Sequence, residues 1–212
     1  MGGFFGAASR RNCVLDVFFG TDYHSHLGTR RGGMAAWDKD VGMQREIHNI
    51  QNSPFRTKFE GIVSEMTGTT AIGCISDTDP QPILIRSRLG VYAICTIGII
   101  NNAEALIQTH LHSSGGHFDS MTGGRVNSNE LIAAFIDQKD SFADGIRYAQ
   151  DMIEGTASIL IMKDGGHLIA ARDKMGRLPI VIEKDADGYA VTFEDYAGEK
   201  LGYEVVRELG PG

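Results

Sequence analysis

The sequence predicts an α+β domain in which antiparallel sheets lie between helical layers. Three observations lead there. Strand-like runs fall in two groups on either side of a helical block, an order that stacks sheets and helices in layers rather than alternating them as a parallel sheet requires. Glycine makes up 27 of 212 residues, about 13% against a usual ~7%, which provides for many turns and close backbone approaches. No internal repeat or low-complexity linker divides the chain, so residues 1–212 read as one domain.

Residues 3–7 read as a short buried strand. Asn12 is placed to cap a helix whose apolar positions Val14, Leu15, Phe18, Phe19, Tyr23 and Leu27 recur at helical spacing, with Gly28 just beyond. Residues 33–37 and 45–50 read as strands joined by a turn at 38–42, and 57–66 as a modest amphipathic helix. Strands follow at 71–76, 83–86 and 91–98; Pro80 and Pro82 separate the first two, because proline is poorly tolerated inside a sheet. Helices are expected at 102–111, 128–137 and 142–153, the second opening with Ser128-Asn129-Glu130. Strands at 158–162, 168–171, 180–183 and 189–193 close the chain.

Composition removes several function classes. Hydrophobic residues are 42% and charged residues 22%, a globular balance that excludes disorder as the main state. The net charge is −7 and the basic residues are scattered, so neither nucleic acid nor an anionic membrane is an expected partner. The longest apolar run, 91–100, is about half a membrane span, and the first residues carry no secretion signal. The three cysteines, Cys13, Cys74 and Cys95, have no Cys-x-x-Cys spacing, which fits a reducing compartment. A soluble, cytoplasmic protein is expected.

Several segments then act together: Met1-Gly2-Gly3-Phe4-Phe5-Gly6, His26-Leu27-Gly28, Gln81-Pro82 within 73–82, residues 98–102, and Ala171-Arg172-Asp173-Lys174-Met175-Gly176-Arg177-Leu178-Pro179. Over essentially the whole length the chain resembles the N-terminal glutaminase domain of class II glutamine amidotransferases, in particular the amidophosphoribosyltransferase branch of purine synthesis. The 171–179 signature is the most specific part. The resemblance implies an N-terminal-nucleophile fold, a four-layer αββα sandwich with two antiparallel sheets. It also implies a C-terminal phosphoribosyltransferase-like domain, whose motif is absent from residues 1–212, and a homo-oligomer. The Gly210-Pro211-Gly212 end reads as a domain cut from a longer polypeptide.

The family's chemistry uses a cysteine at the mature N-terminus, whose thiolate attacks the glutamine side-chain amide while the α-amino group acts as base. That position is Gly2 here, so no catalytic residue is intact. The family's carboxylate-clamping arginine falls on Ser76, its Asn-Gly oxyanion pair on Ile97-Gly98, the acid for the substrate ammonium on Ser128, and the arginine of its His-Arg-Gly motif on Leu27, before Gly28. A hydroxyl cannot reproduce the bidentate grip of a guanidinium, and isoleucine supplies no side-chain donor. Five departures at one pocket, beside retained scaffold motifs, lead to the expectation of a glutaminase-like domain that has lost glutamine hydrolysis. Its vacated pocket would take a neutral or partly polar small molecule, or be filled by side chains.

Other constellations are weighed beside this. His24-Ser25-His26 and His110-Leu111-His112 fall in helical readings, where i and i+2 diverge, so no metal site is expected, and no cofactor. Cys74 and Cys95 read as small buried hydrophobes, with Cys74 as the candidate displaced nucleophile of an alternative, working amidotransferase. Arg30-Arg31-Gly32-Gly33 reads as surface, or as a holder for phosphate or carboxylate. A third reading is a non-catalytic interaction module.

Overall fold

The computed structural model describes residues 2–114 and 116–212. In chain order it runs β1 (Gly2–Ser9), α1 (Val14–Tyr23), a 3-10 turn (Ser25–Leu27), β2 (Arg31–Asp38), β3 (Gly42–Asn49), α2 (Phe55–Val63), β4 (Thr70–Ser76), β5 (Ile83–Ser87), β6 (Gly90–Ile100) and α3 (Ala103–Ser114). It continues through β7 (Met121–Thr122), β8 (Arg125–Val126), α4 (Ser128–Ile136), α5 (Phe142–Met152), β9 (Gly155–Lys163), β10 (His167–Ala171), β11 (Val181–Lys184), β12 (Gly188–Thr192), α6 (Asp195–Leu201) and β13 (Glu204–Glu208).

Strand alternation builds the layers. Successive side chains of β1 point to opposite faces, so Phe5 packs against α1 while Phe4 enters the space between the two sheets. On β6 the same alternation sends Tyr92 and Ile94 to the helical side and Ala93, Cys95 and Ile97 to the inter-sheet side. Three buried clusters result, and three apolar interfaces separate four layers. Helices α1, α2 and α6 cover a seven-stranded sheet of order β13-β11-β12-β1-β4-β2-β3; a four-stranded sheet, β10-β9-β6-β5, lies beneath it and is covered by α3, α4 and α5. All pairings are antiparallel among the described residues. The expected αββα sandwich is the fold.

Where the elements differ from the sequence reading, local chemistry gives the reason. The first helix stops at Tyr23, four residues before the predicted Leu27. His24 Nδ1 bonds the Gly20 carbonyl and Ser25 Oγ donates to that of Asp22, so side chains satisfy the carbonyls that another turn would have used. Asn12 lies one residue before the cap, and its Oδ1 accepts from the Val14 and Gly68 amides. The β7–β8 hairpin, α6 and β13 have no counterpart in that reading. β13 is exposed along its length and shows no clean polar–apolar alternation.

Candidate functional site

Strand β1 starts at the edge of the inter-sheet space. Gly2 pairs with Ser76 of β4, and Ser76 pairs in turn with Arg31 of β2. A Cβ added at Gly2 would fall inside the envelope of the Ile75 carbonyl oxygen and 2.8 Å from Ile97 Cδ1. Position 2 is therefore closed by backbone on one side and by Ile97 on the other. Gly98 is similarly confined, with the Thr156 carbonyl of β9 where its Cβ would be.

Beside Gly2 lies a cavity of about 260 Å³. Leu27, Ser76, Ile97 and Gly98 line it, four of the positions that the sequence places at the pocket. Ser76 Oγ accepts from the Thr78 amide and shares a 3.2 Å hydrogen bond with its hydroxyl, so the hydroxyl is occupied locally. Gln81 fixes the floor: its side chain donates to the Thr96 carbonyl at 3.1 Å and accepts from the Thr96 amide at 2.8 Å.

The 171–179 signature acquires a physical meaning here. The Asp173 carboxylate, almost fully buried, accepts from the Met175 and Arg177 amides, while the Arg172 guanidinium donates to the Gly176 and Leu178 carbonyls at 2.8 Å. Gly176 takes φ 62°, the left-handed region that the turn demands. This turn delivers Arg177, Leu178 and Pro179 to the cavity wall. Glu194 lines it as well and holds His26 Nε2 at 3.1 Å, which gives that histidine a structural contact.

Arg177 and Glu194 were not singled out by sequence reasoning. The signal for Arg177 was its place in the signature; Glu194 follows a strand and carries no motif. Together they put one charge of each sign on an otherwise largely apolar wall, which includes Phe193 and Leu178.

The remaining predicted positions lie apart. Gly28 is buried and outside that wall. Ser128 lines a neighbouring cavity of about 690 Å³, which shares Thr78, Gly98 and Ile99 with the first. It opens α4, where the Asn127 side chain caps the Asn129 amide and Asp79 accepts from the Ser128 amide. Glu130 is committed to the Asp119 and Ser120 amides. Cys74 is fully buried between the sheets and its thiol donates to the Gln81 carbonyl; burial, with Cys74 alongside, pushes the Cys95 thiol well above its ordinary value. His24 is buried between Gly20 and Thr192, and burial lowers its pKa. Among the described residues no three His, Cys, Asp or Glu side chains converge as metal ligands.

Comparisons with known proteins agree with this fold. No family model matches the chain. An amidophosphoribosyltransferase of Methanocaldococcus jannaschii is 27% identical over an alignment that covers 100% of this chain and 46% of the relative. That of Bacillus subtilis is also 27% identical, covering 99% and 44%. The solved glutamine phosphoribosylpyrophosphate amidotransferase of B. subtilis, in complex with ADP and GMP, superposes with a TM-score of 0.83 at 25% identity, over 99% of this chain and 46% of that one. The chain thus spans less than half the length of these relatives.

Proposed function

We propose, from the premise that this chain is a class II glutamine amidotransferase domain of the amidophosphoribosyltransferase type, that it no longer hydrolyses glutamine. It serves a larger amidophosphoribosyltransferase-like protein of purine nucleotide synthesis as a scaffold with a pocket for a small, largely neutral ligand. The companion is a phosphoribosyltransferase-like domain, the assembly is a cytoplasmic homo-oligomer, and nitrogen arrives as ammonia, free or delivered by another subunit.

The observation that carries this reading is the closure of position 2. The Ile75 carbonyl and Ile97 occupy the space that a nucleophile's Cβ would need. Loss of such a nucleophile removes roughly 10⁶ in turnover, and loss of one oxyanion donor roughly 10²–10³ more. Ser76, its hydroxyl turned to Thr78, offers no grip on a carboxylate. The retained turn at 172–179 and the Gln81 clamp preserve the cavity walls without restoring that chemistry.

The test is a glutaminase assay on the chain, on Gly2→Cys and on Cys74→Ser, with thermal melts of each. We expect no turnover above buffer in any of them. Gly2→Cys should melt lower, because overpacking costs roughly 1–3 kcal/mol. Robust turnover by Gly2→Cys would return the glutaminase reading. Turnover by the unmodified chain that Cys74→Ser abolishes would establish a displaced nucleophile instead.

A further inference from the structure

We propose that a third cavity, of about 340 Å³, binds a small phosphorylated molecule through Arg30, Arg31 and Arg125. It lies where the start of β2, the end of β3, the loop after β4 and the β7–β8 hairpin meet, and Thr78 and Thr122 contribute hydroxyls to its wall. Thr78 also lines the cavity beside Gly2, so the two spaces are neighbours. The proposal does not depend on the fate of glutamine hydrolysis.

The adjacent Arg30 and Arg31 and the distant Arg125 line one cavity, and among the described residues none of them forms an ion pair with an acid. Arg11 has Asp16 and Asp185, Arg56 has Asp22, Arg88 has Asp140 and Arg172 has Glu208, whereas Arg45, Arg86, Arg177 and Arg207 lie apart from one another without an acid among the described residues; only here do three such arginines share one cavity. Three like charges beside one acid leave a positive excess whose free-energy cost an external anion recovers.

The hairpin is built to deliver the third arginine. Gly123 and Gly124 both take positive φ, 59° and 79°, the pattern of a two-residue primed turn, and Thr122 pairs directly with Arg125. Arg31 is anchored by its strand pairing to Ser76 on one side and to Asn49 on the other. The three arginines therefore line the cavity from two paired segments, the start of β2 and the β7–β8 hairpin.

Among the described residues the wall holds one acid, Asp77, which accepts a 2.7 Å hydrogen bond from the Thr29 amide. Three positive charges and one negative leave a formal +2, within a chain whose net charge is −7. That contrast marks a local anion site rather than a general basic surface for nucleic acid or membrane. One guanidinium fork saturates a planar carboxylate, whereas a phosphate presents three terminal oxygens and about −1.5 to −2 of charge to several forks at once. Asn49, Gln51 and the two threonines supply neutral partners for the rest of the ligand.

Isothermal titration of the 212-residue chain with inorganic phosphate and with pyrophosphate tests this, with citrate as the polycarboxylate comparator. The expected result is one saturable site that prefers pyrophosphate or phosphate to citrate. Arg30→Gln, Arg31→Gln and Arg125→Gln should each weaken it by about tenfold or more. Arg45→Gln, on β3 outside the cavity, should leave it unchanged, and all four variants should melt like the parent. Non-saturating heats, an equal loss with Arg45→Gln, or a preference for citrate overturns the proposal. So does binding of an oligonucleotide that pyrophosphate does not displace.

Discussion

Glu183 concentrates the molecule's unusual electrostatics in one side chain. It lies on β11 with no solvent exposure, its carboxylate packed on the backbone of α6 at Gly198, and among the described residues neither oxygen has a hydrogen-bond partner. Burial, and next the charge of Asp195 on α6, raise its pKa from 4.5 to about 7. A raised carboxyl pKa stabilises the fold below the unfolded value, and that contribution is lost as pH rises through about 7. At ~1.4 kcal/mol per pH unit the loss amounts to about 3 kcal/mol by pH 8. Buried His24 acts oppositely, since its lowered pKa removes stability as pH falls below about 6.5. Comparing Glu183→Gln with the parent isolates the first effect. The variant should gain stability relative to the parent between pH 5 and pH 8 in chemical denaturation; a constant difference across that range would rule out the buried carboxylate as the titrating group.

At the scale of elements, the helix starts are unequal. α5 is capped by Ser141, whose Oγ accepts from the Asp144 amide at 3.1 Å on the exposed side of the molecule. α4 is capped by buried Asn127, which accepts from the Asn129 amide at 2.9 Å and also donates to the Pro80 carbonyl at 2.8 Å. Asn127 thereby joins the helix to the loop whose Thr78 lines all three cavities. Replacing either cap by alanine removes about 1 kcal/mol. Asn127→Ala leaves the Pro80 carbonyl without that donor and should cost roughly 1–3 kcal/mol more. Urea denaturation of the two variants should rank Asn127→Ala as the more damaging; equal losses would show that the Pro80 contact adds nothing.

For the molecule as a whole, the inter-sheet layer is what makes the two sheets one cooperative unit. Leu160 of β9 is fully buried in it, with Cδ2 2.9 Å from where a Cβ at Gly6 of β1 would lie. At the opposite end of β1 from Gly2, the only tryptophan, Trp37 of β2, donates to Asp164 beyond β9 at 2.7 Å and so bridges the sheets. Leu160→Ala should cost roughly 2–5 kcal/mol, the range for such deletions in a packed core. Tryptophan fluorescence and far-ultraviolet circular dichroism should then shift together to lower denaturant. Separated transitions would mean that the sheets unfold independently.

The sequence by itself determined the order of the strands and helices other than the β7–β8 hairpin, α6 and β13, because period 2 and period 3.6 are written in neighbouring residues. It also held the turn at 172–179, whose Asp173 and Gly176 act over a few positions, and the lack of a nucleophilic side chain at Gly2. Its resemblance to a known family extended this to the layers and to Leu27, Ser76, Ile97 and Gly98 around one cavity. Only the tertiary structure decided that Ser128 faces the adjoining space, while the burial of Cys74 bears out its reading as a small buried hydrophobe. It also brought Arg177 and Glu194 to the cavity wall and Arg125 across to Arg30 and Arg31. β1 lies between β4 and β12, whose partner residues are about 70 and 190 positions along the chain. Side chains that meet through such pairings carry no shared local pattern, so their proximity is set by sheet order and layer packing, which periodicity does not encode.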